Sequence, residues 1–277
     1  MSGKLYLVGT PIGNLGDFSP RAVQALEEAD FIAAEYTRVS LKLLNHFEIR
    51  KPLVSYHRHN FDTAGPQILS RLLSGENCAL VTDAGMPAIS DPGEDLVRLC
   101  AENGVTVETI PGPSALICAL ALSALPTGRF TFEGFLPTNK KNRKAHLQSL
   151  LAEERTMIFY EAPHKLRDTL DDLLKTFGDR PISLSREITK LHEETIRTTL
   201  AGAVAHFAEN DPKGEFVLVL AGAEHTEEET VTLEDAVEMV LARRENGERM
   251  KDAVRQVSAD TGINKNELYD AALKAGQ

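Results

Sequence analysis

Residues able to do chemistry gather in a few short segments of this chain, most of them rich in glycine and proline. GTPIGNLGD (Gly9 to Asp17), AEYTR (Ala34 to Arg38), SYHRHN (Ser55 to Asn60), TDAGMPAISDPG (Thr82 to Gly93) and PGPSA (Pro111 to Ala115) each follow a short apolar run. Gly and Pro let a ligand approach the backbone and keep loops stiff. One such loop reads as an ordinary turn, but five at one end of a sheet predict a shared binding cleft. Two further segments are rich in charge. In SREITK, Arg186 and Glu187 point to opposite faces of a strand, and a turn starting at Glu187 brings Lys190 back beside it. In NKKNRK, Lys140, Lys141, Arg143 and Lys144 open a helix, where they suit phosphate contacts or form a plain solvated face.

Familiar cofactor cradles are missing. GTPIGN carries Pro11 where a dinucleotide loop needs its second Gly, and there is no GxxxxGK[ST] or GxSxG. His57 and His59 lie two apart, on opposite faces if the segment is a strand, with no carboxylate or Cys cluster beside them. No metal is expected.

The elements that must position these loops alternate in type. Strands are predicted at Leu5 to Gly9, Phe31 to Tyr36, Pro52 to His57, Cys78 to Asp83 and Val105 to Ile110, with helices at Pro20 to Glu28, Thr63 to Leu73 and Glu94 to Glu102. Apolar strands separated by helices predict an α/β domain with a parallel sheet covered on both faces, over residues 1–122. ALICALALSAL (Ala115 to Leu125) is about half the roughly 20 residues a membrane span needs, and is expected to be a buried helix. LPTGRF then opens a second α/β domain, 123–225, with strands at Phe130 to Phe135, Thr156 to Ala162, Pro181 to Glu187 and Glu215 to Gly222. Its helices fall at about Asn142 to Leu151, His164 to Thr176 and Leu200 to Ala208. The acidic Glu227 to Glu229 suggests a linker. Residues 226–277 form a helical extension whose helix, Gly262 turn and second helix match a helix-turn-helix or a small bundle.

The formal charge of -11 argues against a uniformly basic binder, but residues 119–225 hold 14 of the 30 Lys and Arg against 15 acids, which leaves room for a local basic patch. Cys78, Cys100 and Cys118 form no CxxC pair, and the N-terminus has no secretory apolar region. A reduced, cytoplasmic protein is expected.

Taken in order, LYLVGTPIGNLGDFSPRAVQALEEADFIAAE, VTDAGMPAISDPG, PGPSA, RFTFEGFLP, FYEAPHKL and SREITKLHEE resemble the tetrapyrrole methylase superfamily of class III S-adenosylmethionine-dependent methyltransferases. Within it they resemble the ribosomal RNA small-subunit methyltransferase I family, and the likeness spans the whole chain. The resemblance implies two α/β domains of the tetrapyrrole methylase type with S-adenosylmethionine in the cleft between them, usually in a homodimer. It implies 2′-O-methylation of a cytidine in the decoding region of 16S rRNA, free or within the small ribosomal subunit. On matching positions, Pro11, Asp83, Ala84, Gly85, Ile89, Ser90, Ser114 and Ala115 would hold the cofactor from the first domain, and Tyr160, Glu161, Ala162, Leu184 and Ser185 from the second. The family usually reads AEDTR where this chain has Tyr36. Tyr36 therefore receives no catalytic role.

Methyl transfer to a ribose hydroxyl needs in-line placement, a proton acceptor and stabilisation of the alkoxide. Glu35, Arg186, Glu187 and Lys190 are the catalytic candidates, with Lys190 or Arg186 as stabiliser and a carboxylate as base. Each also fits a plain surface ion pair. Arg38, His57 and Arg58 are expected to extend the RNA track from Lys140, Lys141, Arg143 and Lys144. Two alternatives stand beside this reading: a methylase of a corrin-type precursor, and a nucleic-acid-binding regulator using the tail. The tail is net acidic, which disfavours groove binding.

Overall fold

A computed structural model describes residues 2–224 and 231–276. The chain divides into two compact units between Ala223 and Glu224; the expected linker at Glu227 to Glu229 lies outside the described residues.

The first unit begins with β1 (Lys4–Val8), α1 (Pro20–Glu28), β2 (Phe31–Ala34), α2 (Thr37–His46), β3 (Leu53–Ser55), α3 (Phe61–Leu73), β4 (Cys78–Val81), α4 (Glu94–Glu102), β5 (Thr106–Ile110) and α5 (Ala115–Leu122). The five strands form one sheet in the order β3-β2-β4-β1-β5, with every pairing parallel. Period-two side-chain alternation explains why the strands read as continuous apolar runs. In β2, Ile32 and Ala34 pack toward α1 and α2, while Phe31 and Ala33 pack toward α3 and α4. Ser19 caps α1 and Pro20 opens it, a start legible in sequence. α2 is missed by the sequence reading, because Val39 and Leu41 are exposed and blur its apolar face.

The chain continues as β6 (Phe130–Phe135), α6 (Lys140–Ser149), β7 (Thr156–Glu161), α7 (Leu166–Phe177), β8 (Pro181–Arg186), β9 (Glu194–Thr199), α8 (Leu200–Glu209) and β10 (Phe216–Leu220). The second sheet runs β6-β7-β10-β8-β9; only β6 and β7 are parallel. α6, α7 and α8 cover one face around Met157, Phe159, Leu184 and Leu218, and α5 covers the other against Ile158, Val217 and Val219. α5 is less buried than expected: Leu116, Ala119 and Leu120 are covered, but Ile117 is half exposed because only one side of the helix meets a sheet. β9 is also new; its polar sequence ETIRTT belongs to a sheet edge, where one side needs no apolar cover.

The described residues of the second unit form three helices, α9 (Leu233–Glu245), α10 (Met250–Thr261) and α11 (Lys265–Ala275). Their core contains Val240, Val254, Val257 and Leu268, and Gly262, in the left-handed conformation at φ 72°, ends α10. No helix among the described residues is long and apolar enough to cross a membrane.

Candidate active site

In the first sheet the chain leaves β1 toward β2 on one side and leaves β4 toward β5 on the other. That reversal opens a crevice between the carboxyl ends of β1 and β4, where α/β sheets bind ligands. Thr10 bridges to Gly85 across it, and the Thr10 hydroxyl donates to the Thr82 carbonyl at 3.1 Å. A cavity of about 330 Å³ occupies this place, closed on the far side by the second sheet.

Thirteen of the expected residues line it: Glu35, Asp83, Ala84, Gly85, Ile89, Ser90, Ser114, Ala115, Tyr160, Glu161, Ser185, Glu187 and Lys190. The sequence reading missed Asp91 and Glu215, which add two carboxylates, and the apolar Ile12, Met86, Leu116, Phe135, Ile188, Phe216 and Val217. Asp91 lies inside the Thr82 to Gly93 segment singled out in the sequence. Four expected residues stand outside the lining. Leu184 is in the core under α7 and α8, since strand alternation that turns Ser185 to the cavity turns Leu184 away. Arg186 is tied to Glu194 at 2.6 Å on neighbouring β9 and donates to the Lys213 carbonyl, so it is not free to meet an alkoxide. Pro11 yields its place to Ile12, and Ala162 contributes a backbone N–H that binds Glu161 at 2.9 Å.

The acidic wall is electrostatically strained. Burial pushes the Glu35 carboxyl above its ordinary range, helped by Asp91 and Asp83 and opposed by Arg58. Burial likewise raises Asp83, against a hydrogen bond from the Tyr36 backbone, and raises Asp91, against Arg58. One Asp83 oxygen, Oδ1, is buried with no hydrogen-bond partner. Across the cavity, burial moves the Tyr160 phenol to about 12, and Phe132 and Phe135 pack edge-on against its ring at 5.0 and 5.5 Å.

The turn after β8 behaves as expected. Lys190 N–H donates to the Glu187 carbonyl at 2.9 Å, and Lys190 Nζ reaches Glu187 Oε1 at 3.1 Å. Glu187 and Thr189 both hold positive φ, 51° and 69°, a strain that bulky residues keep only where surroundings enforce it. Two glycines make room for the pair. A Cβ on Gly13 would stand 2.5 Å from Lys190 Cγ, and one on Gly214, at φ 78°, 2.5 Å from Glu187 Oε1.

The expected RNA track is only partly assembled. Lys140, Lys141 and Lys144 are exposed on α6, but Arg143 is half-buried, bound to Asp172 and Thr169. The groove beside α6 is mixed in sign, adding Lys165 and Lys175 but also Asp168, Asp171 and Asp172. Arg38 is exposed on α2, and Arg58 bonds the Ser90 carbonyl at the cavity's edge. His57 and His59 are not on a strand: β3 stops at Ser55 and they share a turn, with rings 6.0 Å apart. No metal-ligating cluster exists among the described residues.

This architecture defines a class. The family model described as Tetrapyrrole (Corrin/Porphyrin) Methylases matches residues 4–204, and the one described as RsmI C-terminal HTH domain matches 231–276. A crystal structure of diphthine synthase shares the fold at TM-score 0.60 and 17% identity, over 79% of this chain and 90% of that one. Ribosomal RNA small subunit methyltransferase I of Synechocystis sp. is 48% identical over 98% of this chain and 98% of its own length. The protein of the same name from Halalkalibacterium halodurans is 49% identical over 97% and 94%. The chain belongs to the ribosomal RNA small subunit methyltransferase I family of the tetrapyrrole methylases, and is a methyltransferase.

Proposed function

We propose that the protein uses S-adenosylmethionine to methylate the ribose 2′-oxygen of a cytidine in the decoding region of 16S rRNA, as a cytoplasmic homodimer. The observation that carries this reading is that similarity to relatives of that name runs along nearly the whole chain, tail included.

The residues fit the cofactor. A sulfonium cation suits a cavity lined by Glu35, Asp83, Asp91 and Glu215, and the unpartnered Asp83 oxygen awaits a donor. Phe135, Tyr160 and Leu116 offer an apolar wall for a flat heteroaromatic ring. When bound, S-adenosylmethionine would supply an electrophilic methyl group to the ribose oxygen, the S–CH3 bond breaking as the O–CH3 bond forms and the thioether leaving with the bonding electrons. The chain must then manage the hydroxyl proton. Glu187 accepts it, and the Lys190 ammonium stabilises negative charge on the oxygen. The exposed Lys140, Lys141 and Lys144 hold the RNA backbone by phosphate contacts.

The description of the matching superfamily model favours a second substrate class, a corrin-type precursor. Mass spectrometry of small-subunit rRNA nucleosides, with and without the gene, tests the two. Loss of one 2′-O-methylcytidine supports the RNA reading. An unchanged nucleoside profile, with methyl transfer to a corrin precursor by the purified protein, overturns it.

A further inference from the structure

Arg143 belongs by sequence to the exposed basic cluster, yet its guanidinium is directed into the protein. Nε donates to Asp172 Oδ2 at 2.7 Å and Nη2 donates to Thr169 Oγ1 at 2.8 Å. Thr169 is fully buried in α7, and its hydroxyl is bonded to Oε2 of Glu161. The other Glu161 oxygen accepts the Ala162 N–H. Glu161 is only 3% exposed, and its pairing with the core residue Phe216 turns the carboxylate toward α7, so Glu161 forms part of the cavity wall at the end of β7 while Tyr160 takes the opposite face.

The direction of this chain of bonds is fixed by chemistry. Arginine has no acceptor, so the Thr169 hydroxyl accepts from Arg143 and spends its single hydrogen on Glu161. Both Glu161 oxygens are then acceptors, the pattern of a charged carboxylate held in one orientation. A buried charge is tolerated only when hydrogen-bonded, and charge-assisted bonds in series provide that.

We infer that Arg143 and Thr169 are positioning residues that anchor Glu161 at the end of β7 and thereby hold the Tyr160–Glu161 wall of the cavity in place for S-adenosylmethionine, so that α6, the helix offering lysines to RNA, also supports the cofactor cleft. This rests on the cleft being the cofactor site. Arg143 bridges the two functions because its neighbours in sequence face solvent while its own side chain reaches the cavity wall through one threonine.

Thr169 touches neither solvent nor cavity, so an effect on cofactor binding must pass through Glu161. Thr169→Val keeps the shape and removes the hydroxyl; Thr169→Ser keeps the hydroxyl. Calorimetric titration of the full chain with S-adenosylmethionine, well below the melting temperature, is expected to show affinity about tenfold weaker for Thr169→Val and near wild type for Thr169→Ser. Arg143→Lys is expected to weaken binding as well, since one ammonium does not reproduce the planar two-point contact to Thr169 and Asp172. It also serves as the second variant if Thr169→Val does not fold. Wild-type affinity in Thr169→Val or Arg143→Lys, even with a lowered melting temperature, overturns the inference. Failure of the wild-type chain to bind S-adenosylmethionine overturns the reading of the cleft itself, and the inference with it.

Discussion

Gly13→Ala is the sharpest probe of the Glu187–Lys190 pair. The new methyl would stand 2.5 Å from Lys190 Cγ and 2.8 Å from Cε, where ordinary contact begins at 3.4 Å, so the lysine stem must move by about 1 Å. The obstacle is a flexible side chain that can swing away, but Gly13 holds φ 155°, where a Cβ adds backbone strain of about 1–3 kcal/mol. Lys190 and Glu187 are 43% and 24% exposed, and an ion pair so solvated contributes up to about 1 kcal/mol. Stability should therefore fall by about 1–4 kcal/mol, most of it backbone strain at Gly13. Catalysis should suffer more: a misplacement of about 1 Å can cost about 100-fold in rate, equivalent to ~2.7 kcal/mol of transition-state stabilisation. The assay is transfer of labelled methyl to small-subunit RNA, with cofactor affinity measured separately and expected to stay near wild type. Lys190→Ala should lower turnover by a similar factor, and the Gly13→Ala/Lys190→Ala double variant, assayed below its melting temperature, should turn over no worse than Lys190→Ala alone, because the methyl reaches the chemistry through the lysine while the strain at Gly13 is read in stability. Unchanged turnover in Gly13→Ala, or losses that simply multiply in the double variant, would refute the reasoning.

Charge reversal at Lys140 and Lys141 is expected to weaken RNA binding and to reduce its dependence on salt by about 0.7 of a log unit per lost phosphate contact; a salt titration insensitive to the substitutions would remove α6 from the interface. Glu35 and Asp91 are raised above their ordinary values of 4.5 and 3.8, chiefly by burial. The folded state then binds more protons than the unfolded one between those values and the raised ones, so this contribution to stability falls as pH rises through that window. Glu153, held at about 2 by Arg155, acts in the opposite sense at lower pH, so the readout is a difference: denaturant unfolding should show cofactor-free wild type losing stability with pH relative to Glu35→Gln/Asp91→Asn. Parallel curves would contradict the buried-carboxylate account. Leu268→Ala removes a fully buried side chain from the three-helix unit and should destabilise it by about 2–5 kcal/mol. Hydrogen exchange should rise across 231–276 while 2–223 stays protected, and uniform loosening of both would argue against two separate cores.

Most of the alternation of strand and helix was legible from the residues alone, because apolar period and turn chemistry are local properties. Ser19-Pro20 starts α1, Gly262 ends α10, and the loops after β1, β4 and β5 carry the residues that line the cavity. The sequence also placed Lys190 beside Glu187, since a turn of three residues is short enough to reason through. Packing, and not local order, sets which side chains of those segments face one another. Leu184 and Ser185 are adjacent in sequence and end in a core and a cavity; Arg186 finds a partner on an edge strand too polar to be legible. Arg143 looks like its lysine neighbours until α7 is packed beside it, and then it holds a buried carboxylate through Thr169. Charge type is written in the sequence, but burial and partner are set by elements distant along the chain, and those two decide whether an arginine meets RNA or shapes the cleft.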